Sequence, residues 1–251
     1  MNRPVAIVTG ARRGIGRAIA LALAEAGFDL IVADLKSSEP SPILTELSDL
    51  GAEARFVAFD LAEIRSHEAV LDAAGEQLQV LVNNAGIGSP VRGDLLGLTP
   101  EHFDRVIAVN LRGTLFLAQA AAKRMLAQRV PRAGRAIVNV TSVSAERASP
   151  ERADYCASKA ALAMVTKALA LRLAPERIAV FEVRPGIIRT AMTQAVEAAY
   201  DACIQDGLVP ARRWGEPEDV GRAVAGLVSG GFGFATGSVV NVDGALAVPS
   251  L

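Results

Sequence analysis

The amino-acid sequence predicts a doubly wound α/β fold, with seven parallel strands in one sheet and helices on both of its faces. Short runs rich in Val and Ile alternate with longer Ala- and Leu-rich segments of helical period, a pattern typical of repeated βαβ units. A glycine-rich turn joins the first apolar run directly to the first helical segment. No linker, internal repeat or low-complexity tract interrupts the pattern, so residues 1–251 are predicted to form a single domain.

The individual elements follow from the spacing of apolar residues. Strands are predicted over residues 5–9, 29–33, 54–59, 80–83, 135–141, 179–183 and 238–242. Helices are predicted over residues 15–26, 42–50, 67–77, 100–128, 153–174 and 216–229. Gly27 is typical of the residue that ends a helix, and Thr99 followed by Pro100 is typical of a helix start.

One segment, at about residues 189–213, does not follow the βαβ rhythm. It places Met192, Val196, Tyr200 and Ile204 at helical spacing just before the last helix. One interpretation is a lid that closes over a substrate, and the alternative is a surface excursion without a function.

Composition excludes several classes of protein. The chain has 26 basic and 27 acidic residues, a net charge of -1, so no global field favours nucleic acid or an anionic membrane. The longest apolar region, residues 18–35, contains Glu25, Gly27, Asp29 and Asp34, and no membrane span is predicted. The amino terminus enters a strand at once and lacks the regions of a signal peptide, so we expect a cytoplasmic protein.

Cysteine and histidine are scarce, which bears on the kinds of chemistry available. Cys156 and Cys203 lie far apart with no CxxC motif, and His67 and His102 have no second histidine at ligand spacing. Neither a metal site nor a histidine base is therefore expected.

The glycine-rich turn has the context of a phosphate-binding loop. Its spacing, TGxxxGxG, comprises Gly10, Arg12, Arg13, Gly14, Ile15 and Gly16 between a predicted strand and a predicted helix. Glycines permit close backbone approach, and a helix N-terminus attracts a pyrophosphate. These features predict a dinucleotide-binding fold of the Rossmann type.

The choice of dinucleotide depends on the end of the second strand. Asp34, 20 residues after Gly14, can accept hydrogen bonds from adenosine ribose hydroxyls. The same carboxylate repels a 2′-phosphate by about 4 kcal/mol per like-charge pair at about 4 Å and an effective dielectric constant near 20. NAD is therefore favoured over NADP, although the Arg13 guanidinium could bind a 2′-phosphate. The alternative for Asp34 is a strand-end turn residue.

Three further residues form a candidate catalytic group. Tyr155 and Lys159 share one face of a predicted helix at i, i+4 spacing, and Ser142 ends a strand 13 residues before the tyrosine. A serine hydroxyl can hold a carbonyl oxygen close to the phenol, as proton transfer requires. The phenol has an ordinary pKa near 10, which a neighbouring ammonium lowers towards neutrality.

Together with Asp60, Asn83-Asn84-Ala85-Gly86, Asn110 and Pro185-Gly186 with Thr190, these motifs occur in an order that resembles the short-chain dehydrogenase/reductase family. The resemblance covers essentially the whole chain and is nearest to the 3-oxoacyl-carrier-protein reductase-like subgroup. It implies hydride transfer between a nicotinamide cofactor and a ketone or secondary alcohol.

The resemblance also implies a role for each site residue. Tyr155 would be the general acid or base, Ser142 would polarise the carbonyl, and Lys159 would bind the nicotinamide ribose. Asn110 would hold a water in a proton relay. The remaining cofactor contacts implied are Asp60 and Leu61 at the adenine, Asn83, Asn84, Ala85 and Gly86 beneath the cofactor, and Pro185, Gly186, Ile188 and Thr190 at the nicotinamide end.

The sequence does not decide between two classes of substrate. A 3-oxoacyl thioester on a carrier protein would suit a basic patch of Arg129, Arg132 and Arg135, but Glu176 stands where the resemblance implies an arginine. A small hydroxy compound or ketone is the alternative. A different class of function is a catalytically silent NAD(P)-binding sensor or scaffold on the same fold.

Three positions depart from the family pattern. Gln79 lies in a shortened connection, Arg184 precedes Pro185 where a small residue is common, and Ala245 replaces a frequent glycine.

The helices at 100–128 and 153–174 are apolar on more faces than one sheet contact covers, which predicts packing against other copies of the chain. The resemblance implies a homotetramer.

Overall fold

A computed structural model describes residues 3–36, 41–128, 134–194 and 197–249. Its seven strands form one parallel sheet in the order β3-β2-β1-β4-β5-β6-β7, which confirms the predicted fold class. The strands are β1 (Val5–Thr9), β2 (Asp29–Asp34), β3 (Ala54–Ala58), β4 (Leu78–Asn83), β5 (Ala136–Val140), β6 (Ala179–Pro185) and β7 (Val239–Val242).

Helices cover both faces of the sheet. They are α1 (Gly14–Glu25), α2 (Ile43–Asp49), α3 (His67–Ala74), α4 (Pro100–Ile107), α5 (Thr114–Ala127), α6 (Ala153–Leu173), α7 (Glu197–Gln205) and α8 (Pro217–Leu227). Buried residues of α1, α2 and α8 form one apolar core with the sheet, and buried residues of α3, α5 and α6 form a second core on the opposite face. This division follows from the continuous apolar runs of a sheet that is covered on both sides.

The strand order changes direction between β1 and β4, because β2 lies on one side of β1 and β4 on the other. In open parallel sheets, ligands bind beyond the carboxyl ends of the strands at such a point. Thr9, Asp34, Asn83 and Pro185 are all last residues of strands, so they meet at this edge.

The long helix predicted over residues 100–128 is interrupted at Asn110. A π-helical turn, Ala108–Gly113, separates α4 from α5. A methyl group added to Gly113 would lie 2.2 Å from the Leu61 carbonyl oxygen. The widened turn therefore brings its backbone against the segment that follows β3, and its glycine makes that approach possible.

Two of the departures noted in the sequence have local structural effects. The register between β1 and β4 shifts at Val5 and Ala6, which pair with Leu78 and Val80, so Gln79 is an extra residue in an irregular strand start. β4 consequently begins two residues before the predicted start. Ala245 adopts φ 70°, a left-handed conformation that favours glycine, and its backbone N–H donates to Asp243 Oδ1.

Neither a membrane span nor a metal cluster is found in the ranges that the structure describes. No helix there is long and apolar enough to cross a membrane. No group of three or more His, Cys, Asp or Glu side chains in the same ranges could hold a metal ion.

Candidate active site

The glycine-rich turn brings backbone atoms closer than any side chain would allow. Gly10 and Gly14 have φ values of 66° and 55°, and the Gly10 N–H donates to the Ala33 carbonyl at 2.7 Å. A methyl group on Gly16 would lie 2.1 Å from the Gly10 carbonyl oxygen. Each predicted glycine is thus required by geometry, and α1 begins with its N–H groups next to an open cradle.

A hydrogen-bond cluster joins this turn to the end of β4. Thr9 Oγ1 accepts from the backbone N–H groups of Asn84 and Ala85, both at 3.0 Å, and Asn84 Nδ2 donates to the Thr9 carbonyl at 2.9 Å. Asn84 and Ala85 therefore lie directly beside the glycine-rich turn. Thr9 was not predicted as a site residue, although its hydroxyl at the last position of β1 was a detectable signal.

Asn83, which the resemblance places beneath the cofactor, has a buried side chain. Its side chain is 2% exposed, and its Nδ2 donates to Asn139 Oδ1 at 2.8 Å across the β4–β5 pair. Asn139 Nδ2 in turn donates to Thr166 Oγ1 of α6 at 2.9 Å. The Asn83 side chain is therefore part of a buried network between the sheet and α6 and does not face a cofactor.

Asp34 lies beside the glycine-rich turn, as the spacing predicts. Its Oδ2 accepts from the Arg12 backbone N–H at 3.0 Å and its Oδ1 from the Leu35 N–H at 2.8 Å. These bonds hold the carboxylate at the carboxyl end of β2. Arg13 precedes α1 and is exposed.

The two residues that follow β3 differ in what they offer to a ligand. Asp60 is exposed at the same edge of the sheet as Asp34, whereas the Leu61 side chain is 4% exposed and packs in the core. The Leu61 side chain is therefore not available to an adenine, so the predicted contact at this position would be made by the Leu61 backbone.

Asn110 connects the loop after β4 to α6. From the π-helical turn, its Oδ1 accepts from the Ile87 N–H at 2.8 Å, while its Nδ2 donates to the Ile87 carbonyl at 2.9 Å and to Ser158 Oγ at 3.1 Å. A methyl group on Gly86 would lie 3.1 Å from Asn110 Oδ1 and 3.6 Å from Lys159 Nζ. Asn110, Gly86 and Lys159 therefore meet at one point.

Tyr155, Ser142 and Lys159 are brought together as predicted. The Ser142 hydroxyl is hydrogen-bonded to the Tyr155 phenol, and Lys159 Nζ lies 5.7 Å from the centroid of the phenol ring. Burial raises the pKa of the Tyr155 phenol, whereas the Ser142 hydrogen bond and the Arg152 charge lower it. The arrangement can hold a carbonyl oxygen between two hydroxyls and pass a proton to it.

The Lys159 ammonium is buried away from water. Its side chain is 4% exposed, and its Nζ donates to the Val140 carbonyl at 3.0 Å. Burial lowers the pKa of Lys159 to about 8, and the negative charge of Glu182 opposes that shift.

Glu182, Arg184 and Glu146 form an ion group beneath the site that the sequence analysis did not predict. Glu182 Oε1 accepts from Arg184 Nε at 2.6 Å and from Thr141 Oγ1 at 2.7 Å, and Arg184 also pairs with Glu146. Glu182 and Arg184 are 1% and 5% exposed. Thr141 precedes Ser142 and Glu146 follows the same turn, so the ion group holds both ends of the segment that carries Ser142. The detectable signal was a charged pair at i, i+2 in an otherwise apolar strand.

The predicted nicotinamide-end residues surround the opposite side of the glycine-rich turn. A methyl group on Gly14 would lie 3.6 Å from Thr190 Cγ2, and one on Gly186 would lie 2.7 Å from Asp243 Cβ. Pro185 ends β6, and Ile188 is 3% exposed and pairs with Gly215 in an isolated bridge. Ile188 therefore leaves only its backbone for a ligand, whereas Thr190 lies beside the turn.

The segment predicted as a lid packs partly on itself. Tyr200 lies edge-on to Trp214 at 5.9 Å, and these side chains pack with the buried residues Ile204 and Val209. Met192 is 56% exposed. Tyr200 therefore belongs to a small separate core, and Val196 lies outside the described residues.

The basic patch expected for a carrier protein is not supported at the position that is described. Arg135 is 2% exposed and its guanidinium donates to the Met125 carbonyl, so it presents no charge at the surface. Arg129 and Arg132 lie outside the described residues. Glu176 forms an ion pair with Arg172 at 3.7 Å.

The residues present fit a nicotinamide dinucleotide. The cradle at Gly10, Gly14 and Gly16 offers backbone N–H groups at a helix N-terminus for a pyrophosphate. Asp34 offers a carboxylate for ribose hydroxyls, Thr190 lies beside Gly14, and Lys159 lies beside Gly86.

The whole chain is similar to known reductases. Residues 10–246 match a family model described as Enoyl-(Acyl carrier protein) reductase. A 3-oxoacyl-(acyl-carrier-protein) reductase of Synechocystis sp. is 35% identical over 99% of this chain and 98% of its own length.

Solved structures give the same result. A 3-oxoacyl-(acyl-carrier protein) reductase from Brucella melitensis in complex with NAD is 54% identical, with 100% of both chains covered and a TM-score of 0.96. A gluconate 5-dehydrogenase from Burkholderia cenocepacia in complex with NADP and tartrate is 32% identical, with 100% of this chain and 97% of that chain covered and a TM-score of 0.89.

The dry environment of Lys159 predicts a pH-dependent contribution to stability. Between pH 8 and 10.5 the unfolded chain binds more protons at this position than the folded chain, so the free energy of unfolding rises with pH. Lys159→Met removes this contribution. We expect the free energy of unfolding of the wild type, relative to that of Lys159→Met, to increase by about 2 kcal/mol from pH 7 to pH 10, measured by urea unfolding.

The exposed Lys167 on the same helix provides the control, Lys167→Met. A wild-type advantage over Lys159→Met that does not change with pH would contradict the buried-ammonium assignment.

Proposed function

The chain belongs to the short-chain dehydrogenase/reductase family and is an NAD(P)-dependent oxidoreductase, and we propose that Tyr155 is the residue that transfers the proton to or from a ketone or secondary alcohol. When bound, the nicotinamide group supplies or accepts the hydride. The observation that carries the proposal is the hydrogen bond between Ser142 and the Tyr155 phenol, with the Lys159 ammonium 5.7 Å from the same ring.

Each residue of this group has a distinct task. The Ser142 hydroxyl orients the substrate oxygen and the Tyr155 phenol exchanges a proton with it. The Lys159 ammonium favours the phenolate form by its charge and binds the nicotinamide ribose. Asn110 positions the loop after β4, because its amide bonds to the backbone of Ile87 and to Ser158. A water relay from Lys159 past Asn110 would return the proton to solvent.

We propose NAD as the preferred cofactor. The Asp34 carboxylate is held at the end of β2 by two backbone N–H groups, where it can accept hydrogen bonds from ribose hydroxyls and repel a 2′-phosphate. The similar proteins of known structure include one with NAD and one with NADP, so their ligands alone do not distinguish the two. Arg13 is exposed beside the turn and supplies a residual attraction for NADP.

The substrate is a ketone or secondary alcohol, and the similar proteins leave two classes open. Their names include a 3-oxoacyl group on a carrier protein and gluconate, a small hydroxy acid. A catalytically silent sensor is not favoured, because Ser142 is hydrogen-bonded to the Tyr155 phenol and Lys159 Nζ lies 5.7 Å from the centroid of the same ring.

We also propose that the segment at about residues 189–213 acts as a lid. Thr190 anchors its start beside Gly14, and a methyl group on Gly88 would lie 3.9 Å from Met192 Sδ, which places Met192 beside the loop after β4. The part that would move is the start of the segment, because Tyr200 and Ile204 pack around Trp214.

Tyr155→Phe tests the proposed proton transfer. The change keeps the ring and removes the transferable proton, so we expect kcat to fall at least about 10²-fold while the Kd for NAD changes little. Initial rates on a panel of ketones and alcohols, followed by nicotinamide absorbance, measure the first quantity, and fluorescence titration measures the second. Turnover close to that of the wild type would remove Tyr155 from the mechanism.

Asp34→Ala tests the choice of cofactor. We expect the wild type to prefer NAD, and the variant to narrow the ratio of kcat/KM values for NAD and NADP by about tenfold or more, because repulsion of the 2′-phosphate is lost. Adding Arg13→Ala to this variant should lower NADP use again. A wild type that prefers NADP tenfold would show that the assignment of Asp34 is wrong.

A homotetramer is proposed from apolar side chains that the described chain leaves uncovered on α4, α5 and α6. Phe103 and Phe116 are each 38% exposed, Met164 is 63% exposed and Leu171 is 81% exposed. Light scattering at micromolar concentration should give a mass near four times the 26.2 kDa of one chain. Leu171→Glu should lower that mass, because a carboxylate would be buried at the contact. A fully active monomer would contradict the assembly.

A further inference from the structure

Arg152 places a second cation beside the catalytic phenol. Its guanidinium carbon lies 5.6 Å from the centroid of the Tyr155 ring, within the range of a cation–π contact. Its Nη2 lies 3.5 Å from Ser144 Oγ, two residues after Ser142. The side chain is half-buried, so it lies along the wall of the site and does not extend into solvent.

No acidic side chain of the described residues neutralises this guanidinium. Glu146 pairs with Arg184, and the Asp154 carboxylate accepts from Ser89 Oγ and from the Tyr155 backbone N–H. Glu151, its neighbour in sequence, is exposed. Within the described ranges, no carboxylate lies within ion-pair distance of Arg152. A half-buried guanidinium whose described contacts are a hydroxyl and an aromatic ring, with no carboxylate in ion-pair distance, is suited to an anion that arrives from outside.

The position of Arg152 points to the substrate and away from the cofactor. Lys159, one turn after Tyr155 on α6, lies next to Gly86 on the cofactor side of the site. Arg152 precedes α6 and contacts the segment that carries Ser142 and Ser144. Arg152 and Lys159 therefore lie on either side of Tyr155 in the sequence. Lys159 is next to Gly86 on the cofactor side, and Arg152 is on the loop before α6.

We propose that Arg152 is a specificity-determining residue that binds the carboxylate of a short oxo or hydroxy acid, whose carbonyl or carbinol carbon reacts at Tyr155. This inference rests on the proposed function of Tyr155 and narrows its substrate class. A guanidinium matches a carboxylate with two parallel hydrogen bonds. Because the guanidinium lies 5.6 Å from the phenol ring, the proposed substrate is a short acid with at most about two carbons between the carboxylate and the reacting carbon. A 3-oxoacyl thioester has no charge at that distance and would leave the guanidinium unpaired.

The test compares matched substrates with and without the charge. Initial rates are measured for 2-, 3- and 4-oxo acids and for their methyl esters, with the wild type, Arg152→Gln, Arg152→Lys and the control Arg147→Gln. Arg147 is an exposed residue of the same loop, so its variant removes an equal charge from the same neighbourhood. The readout is the ratio of kcat/KM for an acid to kcat/KM for its ester, because any effect of Arg152 on the Tyr155 pKa acts on both substrates and cancels.

We expect the wild type to prefer one of the acids over its ester. Arg152→Gln should lower the acid-to-ester ratio by at least about 30-fold, mainly through KM, because charge-assisted hydrogen bonds are lost. Arg152→Lys should retain part of the preference and Arg147→Gln all of it.

Two kinds of result would overturn the inference while leaving the proposed function intact. One is a wild type that reduces esters or thioesters in preference to acids. The other is an Arg152→Gln variant that loses activity equally on acids and esters, which would make Arg152 a positioning residue for Tyr155. A wild type that reduces no ketone or oxo acid at all would instead contradict the proposed function.

Discussion

The close backbone contact between Gly16 and Gly10 is the constraint on which the rest of the site depends. A side chain at Gly16 would occupy the same space as the Gly10 carbonyl oxygen, 2.1 Å from its Cβ. Because α1 starts at Gly14, this contact determines how close the helix N-terminus comes to the sheet edge. Thr9 and Asn84 extend the contact to β4, so the two strands that flank the change in strand order share one hydrogen-bond cluster. The cofactor groove and the loop that reaches Asn110 are both positioned by this junction.

The burial of the Lys159 ammonium on α6 has a cost in stability. The Lys159 ammonium lies 5.7 Å from the centroid of the phenol ring in a buried environment, and this burial disfavours its charged form. Glu182 acts against this penalty from β6, and Arg184 compensates the buried carboxylate. The partner of Arg184, Glu146, belongs to the segment that carries Ser142. One ion group therefore supports both the electrostatics of Lys159 and the position of Ser142, and removing one member would leave another buried charge uncompensated.

Features governed by local sequence were predictable, and features governed by distant pairing were not. The strands, the glycine-rich turn and the Tyr155–Lys159 pair depend on spacing within one element, and the structure places them as expected. The side-chain contact of Asn83 was not predictable, because its partner, Asn139, lies 56 residues away and strand register decides that contact. The burial of the Leu61 side chain was not predictable either, because it depends on the approach of Gly113 from the π-helical turn.

The proposed catalytic residues and Arg152 are held in the structure by different kinds of contact. Ser142 and Lys159 are held by buried contacts with the sheet, since Lys159 bonds to the Val140 carbonyl and Thr141 bonds to Glu182. Arg152 stands on the short connection before α6, where it is half-buried and contacts Ser144 Oγ at 3.5 Å and the Tyr155 ring at 5.6 Å. Under the proposed role of Arg152, a change of residue there would alter the choice of substrate while the buried contacts that hold Ser142 and Lys159 stay in place.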